Sequence, residues 1–175
     1  MVKKSSGILM YKFDKNDAGL RVFIVHPGGP FWKDKDEGVW GIPKGEIEDG
    51  ENDMLEVAKR ELKEETGIDL FSRKKEEFAD LGSVKQKSGK EVFCYAIEED
   101  WTGLLICSSY FEMEWPTKSG KTIKFPEVDK AGFFFLEMAR KKMNEAQREF
   151  LDRLMLFLEG RSGYNNAADS RNKRY

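Results

Sequence analysis

Residues 45–68 read Gly-Glu-Ile-Glu-Asp-Gly-Glu-Asn-Asp-Met-Leu-Glu-Val-Ala-Lys-Arg-Glu-Leu-Lys-Glu-Glu-Thr-Gly-Ile, and the second half of this stretch has the period of a helix. Leu55, Ala58 and Leu62 fall on one stripe, and Gly67 stands where a helix C-cap belongs. At about 100° per residue, Glu61, Glu64 and Glu65 share one arc of about 100° beside that stripe. Burying the stripe therefore carries three carboxylates to the edge of the core. Like charges held so closely repel, and either some stay protonated or a cation neutralises them. Hard oxygen ligands select Mg²⁺ or Mn²⁺. A cation held by a few carboxylates keeps positions open for water and phosphate oxygens. Taken alone, a Glu-rich helix with interleaved lysines is more often a solvated face held by weak i,i+4 pairs.

Outward from the helix, Gly7 to Phe13 and Leu20 to His26 are short apolar runs separated by the polar turn 14–19, which predicts a strand pair. The loop from His26 to Pro30 holds two prolines and two glycines, and Val39 to Ile42 reads as a brief strand that ends at Pro43. Phe78 to Val84, Glu91 to Ile97 and Tyr110 to Trp115 alternate as strands, with turns at 88–90 and 119–121. Ala131 to Leu136 is a final apolar strand, with Phe133, Phe134 and Phe135 read as core, and Met143 to Leu158 follows as an amphipathic helix. Residues 1–160 form one domain's worth of chain; 161–175, almost without aliphatic side chains, reads as a flexible tail.

Composition narrows the chemistry. The chain has 175 residues, 30 Lys+Arg against 32 Asp+Glu, and a formal net charge of -2, which offers no bulk attraction to genomic nucleic acid or anionic membranes. No apolar run approaches the roughly 20 residues of a membrane span, and the apolar stretch after Lys3 and Lys4 is too short for a signal peptide, so the expected compartment is the cytoplasm. Cys94 and Cys107 lack CxxC spacing and His26 is the only histidine, which leaves too few ligands for a structural zinc site or a Cys-His pair. His26 itself ends an apolar strand with no ligand partner nearby in sequence, a structural position.

The segment as a whole resembles the Nudix box: Gly, five residues, Glu, seven residues, then Arg-Glu-apolar-any-Glu-Glu-any-Gly-apolar. Gly45 and Glu51 match, as does Arg60 through Ile68, and Trp40-Gly41-Ile42-Pro43-Lys44-Gly45 is similar to the family's lead-in. One departure is present: eight residues, Asn52 to Lys59, stand where the pattern has seven, which bears on Glu51 and leaves the register from Arg60 intact. The resemblance covers about residues 5 to 160. It implies an α/β fold, a three-layer α/β/α sandwich around a mixed β-sheet, and hydrolysis of a phosphoanhydride in a nucleoside diphosphate linked to a group X: a nucleoside triphosphate, a dinucleoside polyphosphate such as diadenosine tetraphosphate, or a nucleotide sugar. It further implies that Glu61 and Glu65 hold the divalent metal with the Gly45 carbonyl, that Glu64 orients or deprotonates the attacking water, and that Arg60 positions the glutamates.

Outside the box, Glu127 is a candidate further metal-binding or basic carboxylate, against a loop carboxylate facing solvent. Lys44 can meet a substrate phosphate or cap its turn. Trp32, on the Pro/Gly loop, is a candidate base-stacking residue, against simple packing. The competing class is a Nudix fold that binds nucleotides or protein partners without turnover; such a protein is expected to have lost a metal glutamate, and all three are present.

Overall fold

In strand β1 (Lys4–Phe13) the side chains alternate between two cores. Ile8 and Met10 face one side and Leu9 and Tyr11 the other, every one of them buried. The same division runs through β2 (Leu20–Pro27), with Phe23 and Val25 on the first face and Val22 and Ile24 on the second. A sheet apolar on both faces needs a layer on each. In the computed structural model, which describes residues 3–16 and 18–172 and side chains as far as Arg161, it has them. Met1, Val2, Asp17 of the first turn and residues 173–175 lie outside the described residues.

The sheet has the order β4-β5-β1-β2-β8, built from β4 (Ala79–Lys85), β5 (Glu91–Glu98) and β8 (Val128–Phe135), with the short β3 (Lys44–Glu46) also paired to β1. The β1–β5 pair is parallel and the rest antiparallel, so the sheet is mixed as expected. Helix α1 (Met54–Thr66) covers the Ile8 face through Ala58 and Leu62; α2 (Leu136–Lys142) and α3 (Arg148–Asn172) cover the other through Ala139, Phe150, Leu151 and Leu154. A separate hairpin, β6 (Tyr110–Glu114) with β7 (Thr122–Pro126), leaves the sheet between Ser109 and Glu127.

Four local expectations change. Val39–Ile42 is not a strand: Trp40 and Gly41 make isolated bridges to Met143 and Val25, the Ile42 N–H donates to the Gln147 side chain, and β3 begins beyond Pro43. The last strand begins earlier, at Val128. Helix forms at 136–142 and again from Arg148, because Met143 is buried in extended backbone and Asn144 caps a short 3₁₀ turn by accepting from the Ala146 N–H at 3.1 Å. Phe133 and Phe134 pack against opposite cores, whereas Phe135 is 48% exposed, its ring covered by the Arg21 guanidinium at 4.3 Å. Helix α3 carries helical backbone through Asn172.

Candidate active site

Helix α1 starts and stops where local chemistry requires. Asp53 accepts from the Leu55 and Glu56 N–H groups at 2.9 and 3.3 Å, and Gly67 takes the left-handed conformation, φ +80°, that closes the C-terminus. Helix α1 begins at Met54 and runs unbroken to Thr66, so Glu61, Glu64 and Glu65 keep their common face. The other end of that face is held from loop 106–109: the N–H groups of Ser108 and Ser109 donate to the Glu64 carbonyl at 2.7 and 3.3 Å, and that of Ile106 to the Thr66 carbonyl at 3.1 Å.

Arg60 is the hub of the acidic cluster. Its Nε and Nη2 donate to the two carboxylate oxygens of Glu51, both at 3.0 Å, while Nη1 lies 2.8 Å from Glu61 Oε1 and 3.2 Å from Glu64 Oε2. The Arg60 guanidinium holds the Glu51 carboxyl below the usual range. Glu61 is packed directly on Gly45: a Cβ at that position would stand 1.9 Å from the Glu61 carboxyl carbon, so only glycine admits this contact. Glu65 accepts from the Lys44 backbone N–H at 3.0 Å.

Glu61 and Glu65 are 6% and 7% exposed. Burial pushes the Glu61 carboxyl up to about 7 against the opposing pull of Arg60, and the Glu65 carboxyl up to about 8 against that of Lys44. The half-buried Lys44 ammonium is pushed down by the same burial, with Glu65 opposing, and makes no ion pair among the described residues.

A cleft of about 780 Å³ is lined by Trp32, Lys44, Gly45, Arg60, Glu61, Glu64, Glu65 and Glu127, while Glu51, also part of the box, is not among its walls. Glu127 is exposed and accepts from the Ser109 hydroxyl at 2.9 Å, and its backbone is tied to Gly28 and Ser109. Trp32, 38% exposed, sits under the Lys35 ammonium at 4.9 Å. An inner recess of about 260 Å³ opens from the cleft, sharing Trp32, Lys44, Glu65 and Glu127 as walls and adding Trp40 and Ile42. Ser109, Phe111 and Lys90 also line the cleft, and no sequence pattern pointed to them. His26 is fully buried and structural, its Nδ1 2.6 Å from Asp129 and its Nε2 2.8 Å from the Lys35 carbonyl; it ties the Trp32 loop to β8.

The donor set fits a hard divalent cation. Seven acidic residues, Glu61, Glu64, Glu65 and Glu127 among them, line one cleft together with Gly45; Glu61 and Glu65 are buried, and Arg60 contacts both Glu61 and Glu64. Among the described residues no three acidic side chains converge into a closed cage. Glu61 turns to Arg60 and Glu65 to the Lys44 N–H.

Fold and cleft together define a class: an α/β/α sandwich with an acidic helix face at the edge of a mixed sheet. Comparison with known proteins sharpens it. The family model described as NUDIX domain matches residues 3–154. The structure is similar to an Ap4A hydrolase binary complex from C. elegans (TM-score 0.59, 19% identity, 91% of this chain and 99% of that one) and to the NUDIX domain of Shewanella oneidensis NrtR complexed with ADP ribose (TM-score 0.61, 14% identity, 90% and 89%). In sequence, an uncharacterized 17.7 kDa protein of Enterobacteria phage T4 is 37% identical over 94 residues, 51% of this chain and 57% of that protein, so the match spans little more than half the length of this curated relative. The chain belongs to the NUDIX domain family. Among the described residues no helix is long and apolar enough to cross a membrane.

Proposed function

We propose that this protein is a divalent-metal-dependent pyrophosphohydrolase that splits a phosphoanhydride in a nucleoside diphosphate linked to a group X. The observation that carries the reading is the pair of buried carboxylates, Glu61 and Glu65, both displaced upward by burial and both facing a cleft with room for a nucleotide. Glu61, Glu65, Glu127 and the Gly45 carbonyl would hold Mg²⁺ or Mn²⁺. Bound there, the cation offsets the carboxylate charge and polarises a phosphoryl oxygen.

The chain's own groups do the rest. Glu64, whose side chain is 41% exposed at the mouth, orients the attacking water and accepts its proton as the anhydride breaks. Arg60 fixes the glutamates through its contacts to Glu51, Glu61 and Glu64, and is a positioning residue. Lys44, whose ammonium makes no ion pair among the described residues, meets a substrate phosphate. Trp32, at the border of cleft and recess, stacks the base. Names of neighbours favour a nucleotide: one is an Ap4A hydrolase, and another was complexed with ADP ribose.

A binding module without turnover is the second reading, and the complete glutamate set argues against it. The deciding experiment is a panel of dinucleoside polyphosphates, nucleoside triphosphates and nucleotide sugars incubated with Mg²⁺ and with Mn²⁺, products being separated by ion exchange. A nucleoside monophosphate and a phosphorylated X from at least one substrate supports the reading; intact substrates throughout, with nucleotide still bound, favours the module.

A further inference from the structure

Glu127 differs from the other carboxylates assigned to the cation. Glu61 and Glu65 are buried, whereas Glu127 is exposed, and a free glutamate side chain loses rotamer entropy when it is ordered as a ligand. Among the described residues its carboxylate accepts one hydrogen bond, to Oε2 from the Ser109 hydroxyl at 2.9 Å. That donor is itself anchored. The Ser109 N–H donates to the Glu64 carbonyl at 3.3 Å, and Ser108 donates to the same carbonyl through its N–H and its hydroxyl, at 2.7 and 3.1 Å. The Glu127 N–H in turn donates to the Ser109 carbonyl at 3.0 Å, one step beyond the Tyr110–Pro126 pair of β6 and β7, and the Glu127 carbonyl accepts from the Gly28 N–H at 2.8 Å. A chain of hydrogen bonds therefore runs from helix α1 at Glu64, through Ser109, to the Glu127 carboxylate, and all three residues line the cleft.

We propose that Ser109 is a positioning residue for the cation site: its hydroxyl occupies Oε2 of Glu127 and leaves Oε1 for the divalent cation. The inference rests on the metal reading above, in which Glu127 is a ligand. A carboxylate that offers one oxygen to a metal and accepts a hydrogen bond on the other is held ready for binding, so the ordering cost is met before the ion arrives. Because Ser109 hangs from the Glu64 carbonyl, the same hydroxyl sets where the exposed Glu127 stands relative to the helix face of Glu61, Glu64 and Glu65. A hydroxyl that merely closed the stem of the hairpin would act on stability and leave the affinity for metal alone.

Mn²⁺ binding to the intact protein, followed by the electron paramagnetic resonance signal of the free ion with no substrate present, tests this without turnover. Ser109→Ala should weaken binding about tenfold or more, as the loss of a partner behind a metal ligand does, while the metal-free protein melts within a few degrees of wild type. Glu127→Ala, at an exposed position where the fold is not at stake, should also weaken binding. Adding Ser109→Ala to Glu127→Ala should then cost nothing more, because the hydroxyl acts only through that carboxylate. Unchanged affinity in Ser109→Ala, or losses that add in the double variant, overturns the role of Ser109 and leaves the metal reading standing. Wild-type protein that binds no Mn²⁺, or a Glu127→Ala variant that binds it as wild type does, removes Glu127 from the ligands and the inference with it.

Discussion

Replacing Gly45 by alanine separates the chemistry of the cleft from the stability of the fold. The added Cβ would lie 1.9 Å from the carboxyl carbon of Glu61 and 2.0 and 2.2 Å from its oxygens, whereas real Cβ contacts stay beyond 3.0 Å. The neighbour that must yield is the end of a flexible side chain, and the Gly45 backbone lies outside the left-handed region, so the fold absorbs the methyl easily. Removing a glycine also lowers the entropy of the unfolded chain by about 0.4–1 kcal/mol. The melting temperature should therefore stay within a few degrees of wild type. The Glu61 carboxylate must retreat by at least about 1 Å, and a displacement of that size at a reacting centre costs on the order of 10²-fold in rate. Differential scanning calorimetry gives the first number, and steady-state hydrolysis across a Mn²⁺ titration gives the second. Near-wild-type turnover at low Mn²⁺ would refute the reasoning, because Glu61 would then not need the position that Gly45 allows it.

Further outcomes follow from the same cluster. Without metal, folded Glu61 and Glu65 hold protons that their unfolded counterparts, near 4.5, have released; the folded state binds more protons, so apo-protein stability should fall as pH rises from about 4.5 through 7 to 8. Saturating Mn²⁺ should oppose that fall, since the cation binds the deprotonated carboxylates, and the pair of melting-temperature profiles against pH checks both signs. Arg60→Gln removes the bidentate contact to Glu51 and the ion pair to Glu61, and should cost about 1.5–3 kcal/mol in urea unfolding as well as turnover. Trp32→Ala should raise KM by about 5- to 150-fold with kcat changed far less, as for the loss of one stacked base; an unchanged KM on two nucleotides would show that Trp32 only packs.

Much of this was legible in the sequence because its signals are local. The α1 register follows from the Leu55–Ala58–Leu62 stripe and the Gly67 stop, and three glutamates inherit their common face from it, while the Asp53 cap emerged only in the structure. Segments whose conformation is set from elsewhere were harder. Trp40 and Gly41 look like a strand, yet their partners are Met143 and Val25, one of them more than a hundred residues away. The break before Arg148 depends on burying Met143, which periodicity alone does not reveal. Phe135 reads as core by composition and is half exposed because β8 lies at the sheet edge. Ser109 enters the cleft from an irregular loop, and its bond to Glu127 joins two ends of a hairpin that no pattern links.

The central claim is that the buried carboxylates serve a metal-assisted hydrolysis, and Glu65→Gln tests it most directly. The substitution keeps the shape and removes the charge of a carboxylate that burial already disfavours. Rates of phosphoanhydride cleavage for wild type and variant should be compared as Mn²⁺ is titrated from zero to saturation. The account predicts no wild-type product without a divalent cation, a rate that rises to a plateau with Mn²⁺, and about 10²-fold or greater loss in the variant at every concentration, with the melting temperature of the metal-free variant equal to or above wild type. Turnover that persists in chelator, or a variant that matches wild type at saturating Mn²⁺, would contradict it.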